Sequence, residues 1–248
     1  MSDNQNINQT LLKNFREEVT RSMLLYKFAL DEISTKVNIL QEEFQLIHEY
    51  NPIEHVNTRI KSPKSILNKL RKRNLPLSLQ SIQENIHDIA GIRIICSFVS
   101  DIYHISNMIQ SQEDIEVVEI KDYIKNPKPN GYQSLHIIMK IPVFMTYGEE
   151  HVFVEMQIRT IAMDFWASLE HKIYYKYNKK VPTHITDELK EAADAAAHLD
   201  RKMEKLNKEI SLFKDASLDD DDEAFDHQND LEQLLFEEIE KVGLHYKQ

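Results

Sequence analysis

Residues 151–160, His-Val-Phe-Val-Glu-Met-Gln-Ile-Arg-Thr, alternate between two kinds of side chain. Successive side chains of a β-strand point to opposite faces, so period-two alternation predicts a strand with two distinct faces. The apolar face carries Val152, Val154, Met156 and Ile158. The other face carries Glu155, Gln157 and Arg159. An exposed edge strand would more usually carry interchangeable Lys, Glu and Thr, so this face predicts a polar floor beneath a charged ligand.

Upstream, residues 127–136 read Pro-Lys-Pro-Asn-Gly-Tyr-Gln-Ser-Leu-His, which predicts a turn that runs into a second strand. Lys128 supplies a cation, and Gly131 permits a left-handed turn or a close backbone approach. Tyr132 is either a turn aromatic or a ring on which a nucleobase stacks. His136 points to the polar side of its strand, where it is either structural or part of the site.

Charge is distributed unevenly along the 248 residues, whose formal net charge is −11. The segment from Asp215 to the end holds twelve acids and two bases, so the rest of the chain is close to neutral. Between Asn57 and Gln83 there is no acid, and the bases there are Arg59, Lys61, Lys64, Lys69, Arg71, Lys72 and Arg73. This cluster is either a solvated helix face or a site for a polyphosphate or RNA partner.

Several classes of protein are disfavoured by the composition. No apolar run approaches 18 residues, so we expect no membrane span. The polar N-terminus and the single cysteine, Cys96, predict a protein of the reducing cytoplasm. The four glycines form neither GxxxxGK[ST] nor GxGxxG, which excludes the common glycine-rich phosphate loops.

The hydrophobic patterns predict an α+β domain, a mixed β-sheet flanked by helices. The expected strands are Val56–Ile60, Ile89–Phe98, Ile115–Ile120, Gln133–Val143 and His151–Arg159. The expected helices are Leu11–Tyr50, one that starts at Ser62 and Pro63, Ser100–Gln110, Ile161–Tyr177 and Thr186–Phe213. The expected divisions are an N-terminal helical extension (1–50), a catalytic domain (51–180), a C-terminal helix (181–214) and an acidic, flexible tail (215–248) with a possible short helix, Leu231–Val242.

Two carboxylates are held in place by predicted strands. Asp88 lies at the entry to a buried strand, and Glu155 lies in the middle of another strand. Taken alone, Asp88 could instead be a helix cap or a salt-bridge partner. Together the two carboxylates could share Mg²⁺, which prefers one or two carboxylates plus substrate phosphates. Because imidazole favours later transition metals, His136 beside them also predicts inhibition by Zn²⁺. The combined pattern predicts a nucleotide site with Arg and Lys clamps, suited to phosphoryl-type transfer.

The motifs resemble those of the RelA/SpoT family, in particular its short single-domain members, the small alarmone synthetases. The matching pieces occur in family order over roughly residues 50–180. They are Arg59-Ile60-Lys61-Ser62 with Ser65 and Lys69, Asp88-Ile89-Ala90-Gly91-Ile92-Arg93, Lys121-Asp122-Tyr123 with 127–136, and Glu155 to Arg159 followed by Phe165-Trp166 and Glu170-His171. The resemblance implies a nucleotidyltransferase-like synthetase domain.

The resemblance also implies transfer of pyrophosphate from ATP to the ribose 3′-hydroxyl of GDP or GTP, with release of AMP. By resemblance, Arg59 and Arg93 bind the adenine of ATP from both sides, and its phosphates are bound by Lys61, Ser65 and Lys69. The resemblance assigns Mg²⁺ to Asp88 and Glu155, with Glu155 also accepting the hydroxyl proton. It assigns GDP or GTP to Lys128, Asn130, Tyr132 and His136, supported by Gln157 and Arg159.

Short members of the family assemble as homotetramers through their terminal helices, which implies a homo-oligomer here. Some relatives also bind RNA, but this chain has His55 where they place an aromatic residue, so RNA binding gains no support. Two other functions stay open: pyrophosphorylation of the 3′ end of tRNA, and an inactive nucleotide sensor or RNA-binding oligomer.

Overall fold

The computed structural model describes residues 2–48, 50–176 and 182–218. The helices are α1 (Ser2–Ile47), α2 (Pro63–Lys72), α3 (Leu79–Asn85), α4 (Val99–Gln110), α5 (Ile161–Lys176) and α6 (Thr183–Leu218). The strands are β1 (Ile53–Ile60), β2 (Ala90–Cys96), β3 (Glu116–Asp122), β4 (Leu135–Met145) and β5 (Gly148–Thr160). The described residues up to Glu204 form one compact unit, and those from Lys205 to Leu218 belong to a second. None of the helices within the described ranges is long and apolar enough to cross a membrane.

The five strands form one mixed sheet in the order β1-β2-β5-β4-β3. β2 and β5 run parallel, and the other neighbouring pairs run antiparallel. The β4–β5 pair is a hairpin that closes where Met145 pairs with Gly148. The predicted α+β architecture, a mixed sheet flanked by helices, is therefore confirmed.

One face of the sheet packs into the main hydrophobic core. The apolar face predicted for β5 is buried there, with Val154, Met156 and Ile158 fully enclosed. The helix α1 covers the same core through Ile33 and Val37, which are also fully enclosed. An apolar sheet face must be covered by another layer, so the N-terminal helix is an integral part of the fold.

Element bounds differ from the sequence expectation in several places. Helix α6, for example, ends at Leu218 and so includes the first residues of the predicted flexible tail. Helix α1 begins nine residues before the predicted Leu11, and β1 begins at Ile53 because it pairs with β2 as far as Cys96. Helix α3 was not predicted, because seven mostly polar residues give little periodicity; its start is fixed by Ser78, whose Oγ accepts from the Ser81 amide at 3.1 Å. The possible helix Leu231–Val242 lies outside the described residues.

Candidate active site

The polar face of the sheet brings the predicted site residues of three strands side by side. In the strand register, Arg93 of β2 lies beside Gln157 of β5, and Gln157 lies beside His136 of β4. Two residues earlier in each strand, and therefore on the same face, Gly91 lies beside Glu155. Parallel pairing of β2 with β5 therefore places the residues of the two distant sequence motifs in one row.

The site has two halves. The cationic half consists of Arg59, Lys61, Ser65, Lys69, Asp88 and Arg93. The tyrosine half consists of Lys128, Asn130, Tyr132, His136, Glu155, Gln157 and Arg159.

Helix α2 supplies part of the cationic half because its start is well defined. Ser62 is the N-cap, with its Oγ 3.3 Å from the Ser65 amide, and Pro63 occupies the first helical position. Ser65 Oγ lies 2.9 Å from Ser62 Oγ and is exposed at this end of the helix. Lys69 follows one turn later and contacts Asp88. A helix start carrying a hydroxyl and a nearby cation suits an anionic ligand.

Asp88 is the centre of the cationic half. Its Oδ2 accepts hydrogen bonds from Lys61 and from Lys69, whose Nζ lies 2.7 Å away. Its Oδ1 is buried and has no hydrogen-bond partner within the described parts of the chain. Burial raises the pKa of Asp88, but the hydrogen bonds and charges of Lys61 and Lys69 outweigh this effect, so its pKa lies below the ordinary value.

Arg59 and Arg93 border a cavity of about 280 Å³ that Glu155 also lines. Arg59 lies across the backbone of Gly91, where an added Cβ would come within 3.3 Å of Arg59 Nε. Arg93 is fixed by helix α5, because its Nη1 donates to Asp164 Oδ1 at 3.1 Å. The absence of a side chain at Gly91 thus leaves the Arg59 guanidinium room beside the cavity.

The turn predicted within residues 127–136 carries Tyr132 into the site. Gly131 has φ +85°, and a Cβ there would lie 2.5 Å from Ala193 Cβ, so this position requires glycine. Lys128 Nζ lies 4.6 Å from the centre of the Tyr132 ring. Asn130 Oδ1 accepts from the Tyr132 amide at 3.2 Å, while its Nδ2 donates to Glu170.

Arg159 is the buried anchor of the tyrosine half. Its Nη1 donates to Asp164 Oδ1 at 3.0 Å, and its Nε donates to Ser134 Oγ at 3.4 Å. Its Nη2 donates to Tyr132 Oη at 2.5 Å and to Gln157 Oε1 at 3.0 Å. Arg159 therefore forms a salt bridge with Asp164 in addition to its contacts inside the site.

Each carboxylate oxygen of Glu155 has a polar side chain beside it. Its Oε1 lies 3.3 Å from His136 Nδ1, and its Oε2 accepts from Gln157 Nε2 at 2.9 Å. Arg59 Nη2 lies 3.7 Å from the same Oε2. Burial raises the pKa of Glu155, and the Asp88 charge also raises it, but the interactions with His136 and Gln157 leave the pKa below its ordinary value.

Sequence reasoning missed Asp164 and Ser134 as parts of the site. A single oxygen of Asp164 accepts from both Arg93 and Arg159, so this residue joins the two halves. In the sequence, Asp164 looks like an acidic residue in the first turn of a helix, which is common for helix-dipole reasons alone. Trp166, which belongs to one of the family motifs, is buried, and its Nε1 donates to the Leu189 carbonyl at 2.8 Å.

The donor set fits the metal that the sequence predicts. The carboxylates of Asp88 and Glu155 interact electrostatically, and Asp88 has a buried oxygen without a hydrogen-bond partner in the described part of the chain. The described residues contain no group of three or more His, Cys, Asp or Glu side chains arranged to hold a metal. Two carboxylates with the remaining positions left for phosphates match Mg²⁺. Inhibition by Zn²⁺ stays a prediction.

Comparisons with known proteins agree on one family. Residues 58–180 match the sequence model of the region found in RelA/SpoT proteins. The GTP pyrophosphokinase YwaC of Bacillus subtilis is 55% identical over 199 residues, which cover 80% of this chain and 95% of that protein.

Two solved structures give the same result. Small alarmone synthetase 2 of B. subtilis superimposes with a TM-score of 0.71 and 54% identity, covering 77% of this chain and 99% of that one. Small alarmone synthetase 1 of B. subtilis, bound to its product pppGpp, gives a TM-score of 0.73 and 37% identity, covering 78% and 98%. The chain described here belongs to the RelA/SpoT family.

Proposed function

We propose that this chain is a GTP pyrophosphokinase that transfers pyrophosphate from ATP to the 3′-hydroxyl of GDP or GTP, releasing AMP and making the alarmones ppGpp or pppGpp. The observation that carries this proposal is the position of Glu155, which lies between the arginine-lined cavity of the cationic half and the Tyr132 turn. The pyrophosphokinase relative and the pppGpp-bound structure support the same reaction.

The cationic half binds ATP. The guanidinium planes of Arg59 and Arg93 border a cavity open to a flat base, and a planar cation stacks on an aromatic ring in a way that Lys cannot reproduce. Lys61 and Lys69 already converge on one carboxylate, so their ammonium groups are close enough together to bind neighbouring phosphates. Ser65 adds its hydroxyl at the helix start.

The tyrosine half binds the acceptor. The Tyr132 ring stacks on guanine, and Lys128 and Asn130 stand on the same turn. His136, Gln157 and Arg159 form the floor beneath, with Arg159 fixed by Asp164 and Ser134. The 3′-hydroxyl is thereby directed at Glu155.

The reaction follows from this arrangement. The 3′-oxygen forms a bond to the β-phosphorus of ATP, and the bond from that phosphorus to the oxygen shared with the α-phosphate breaks, so AMP leaves. Glu155 accepts the hydroxyl proton, which its ionised form can do at neutral pH because its pKa is low. Lys61 and Lys69 neutralise charge on the transferred group, the kind of contribution that dominates phosphoryl transfer.

Asp88 and Glu155 would hold Mg²⁺. When bound, the ion neutralises phosphate oxygens and helps to align ATP with the acceptor. The lysine contacts at Asp88 keep that carboxylate ionised, as a metal ligand must be.

The exposed apolar surface supports the homo-oligomer implied by the family, for which we propose the tetramer. Helices α5 and α6 border an apolar cavity of about 820 Å³, and Phe165 at its edge is 67% exposed. Apolar patches of this kind commonly mark protein–protein contacts. Light scattering of the purified chain is expected to give four times the chain mass, and the mass of one chain would contradict assembly.

Anion-exchange separation of the products of ATP, Mg²⁺ and either GDP or GTP tests the proposed reaction. We expect AMP to appear in step with a guanosine tetra- or pentaphosphate. Nucleotide binding without any product would favour the sensor. Transfer of label from γ-labelled ATP to uncharged tRNA, and not to guanosine nucleotides, would favour the tRNA-modifying enzyme.

A further inference from the structure

Five side chains of the tyrosine half form a closed ring of contacts around the acceptor site. Tyr132 Oη lies 2.7 Å from His136 Nε2, and His136 Nδ1 lies 3.3 Å from Glu155 Oε1. Glu155 Oε2 accepts from Gln157, and Arg159 Nη2 closes the ring by donating to both Gln157 Oε1 and Tyr132 Oη. The proposed base is thus linked to Tyr132, whose ring stacks on guanine, by two routes: one through His136 and one through Gln157 and Arg159.

The donors in this ring all point the same way. Arg159 can only donate, so Tyr132 Oη accepts from it. The Glu155 carboxylate can only accept, so a neutral His136 carries its proton on Nδ1, and its Nε2 accepts the proton of the Tyr132 hydroxyl. This tautomer directs the Nδ1 proton toward Glu155 Oε1, which lies 3.3 Å from Nδ1.

The second branch has the same polarity. Gln157 Oε1 accepts from Arg159, so its amide nitrogen donates to Glu155. Two chains of donors therefore start on one nitrogen, Arg159 Nη2, and end on the two oxygens of Glu155.

Burial makes the loss of these contacts energetically costly. Arg159 is 5% exposed, and the side chains of His136 and Glu155 are 11% and 13% exposed. Hydrogen bonds shielded from water are costly to leave unmade, so each link constrains the next. Both nitrogens of His136 are used within the ring, which leaves this imidazole suited to holding Glu155 in place.

We propose that the Tyr132 hydroxyl and His136 are positioning residues that orient the Glu155 carboxylate toward the 3′-hydroxyl of the acceptor. Tyr132 then has two separable functions, with its ring binding guanine and its hydroxyl fixing the base through His136. Guanine that settles on the ring also fixes the start of this chain, which links acceptor recognition to the transfer step. This inference rests on the proposed function.

Replacing Tyr132 by Phe separates the two functions, because the ring stays and the hydroxyl is lost. We expect the KM for GDP or GTP to change less than about twofold and kcat to fall about fivefold to tenfold, the range for one hydrogen bond. The matched control is Tyr123→Phe. Tyr123 packs edge-on against Tyr132 and His136, and its hydroxyl makes no hydrogen bond to the described part of the chain.

Two substitutions of His136 test the order of the links. Asn places an amide nitrogen where Nδ1 stands, so His136→Asn keeps the donor to Glu155 and loses the link to Tyr132. Gln reaches the position of Nε2, so His136→Gln keeps the Tyr132 link and loses the donor to Glu155. We expect His136→Asn to match Tyr132→Phe in kcat and His136→Gln to have a lower kcat than either.

The double variant Tyr132→Phe/His136→Asn tests whether the two residues act in series, because both changes remove the hydrogen bond between the Tyr132 hydroxyl and His136 Nε2. We expect its kcat to equal that of each single variant, with unfolding midpoints close to that of the wild type. Multiplicative losses, an unchanged kcat in Tyr132→Phe, or a rise in KM alone would overturn the positioning role while the wild type still makes product. A wild type that makes no product would instead overturn the proposed function, and the inference with it.

Discussion

The two halves of the site hold their carboxylates by different physics. In the cationic half, two ammonium groups bind the same oxygen of Asp88. In the tyrosine half, an imidazole and an amide bind separate oxygens of Glu155, and the nearest guanidinium nitrogen is 3.7 Å away. The pKa values of both carboxyl groups lie below the ordinary range.

This difference matches the two tasks. Lysines on a helix and a strand end can leave Asp88 and turn to incoming phosphates, so the cationic half can rearrange when ATP binds. The tyrosine half is held by contacts among side chains of β5, β4 and the turn before β4, and it is already organised before the acceptor arrives. Preorganised groups need no rearrangement as the reaction proceeds, which is where electrostatic catalysis gains most.

The largest effect is expected from Glu155→Gln, which removes the proposed base and metal ligand but keeps the size of the side chain. Turnover should fall by about 10³-fold or more, since general base catalysis alone contributes about 10²–10⁴-fold. The affinity for GDP, measured by calorimetry, should change only a few-fold. Glu149→Gln, on the exposed part of the same strand, is the control. Retained turnover would remove Glu155 from the chemistry.

The next effect tests the ionic character of the cationic half. Lys69→Met should raise the KM for ATP about 10-fold or more, in line with about 1.5–3 kcal/mol for a hydrogen bond to a charged group. The variant should also lose part of the salt dependence of ATP binding, because exposed charge pairs are screened by salt. Lys72→Met removes an exposed lysine of the same helix and serves as the control. Equal effects of the two substitutions would mean that the helix acts only through its general charge.

A third prediction concerns the rigidity of the tyrosine half. Gly131→Ala forces a side chain into φ +85° and against Ala193, and strain of this kind costs about 1–3 kcal/mol. We expect a lower unfolding midpoint together with a higher KM for GDP and GTP. Gly148→Ala also places a side chain at positive φ, but its Cβ would meet nothing within 4 Å. The control should therefore leave KM unchanged, and a shared rise in KM would contradict the local explanation.

The smallest effect is expected at Asp200, which contacts the last residue of β5, the strand that carries Glu155, Gln157 and Arg159. Asp200 Oδ2 accepts from Thr160 Oγ1 at 2.7 Å, at the end of β5. Burial raises the pKa of Asp200, and although Thr160 and Arg201 oppose this, the result lies above the ordinary value. A raised pKa favours the neutral form in the folded state, so that contribution to stability is present below the unfolded-state pKa of about 3.9 and is lost as the pH rises through the folded-state value.

Asp200→Asn should therefore be more stable than the wild type at pH 7 and equal to it near pH 3. A gain of ~1 kcal/mol corresponds to roughly 2–4 °C in the unfolding midpoint. Thermal unfolding over a pH series checks this, with the exposed Asp194→Asn of the same helix as the control. A difference that does not vary with pH would show that the charge of Asp200 is not its cause.

The sequence was informative where a pattern is local. Strict alternation along 151–160 predicted both faces of β5, and the cap at Ser62 predicted the start of α2. Contacts made through space were out of reach. The ring around Glu155 depends on the β4–β5 register, and Asp164 reaches Arg93 across 71 residues of sequence. The cover of the sheet by α1 was also unpredictable, because an apolar stripe does not reveal what it packs against.

The central claim is that the tyrosine half presents a 3′-hydroxyl to ATP held by the cationic half. Release of AMP with 3′-deoxy-GTP in place of GTP tests this claim most directly. We predict that 3′-deoxy-GTP competes with GTP for binding and yields no AMP, because the attacking oxygen is missing. AMP formed with 3′-deoxy-GTP in step with a new guanosine product would mean that the acceptor oxygen lies elsewhere and would contradict the account.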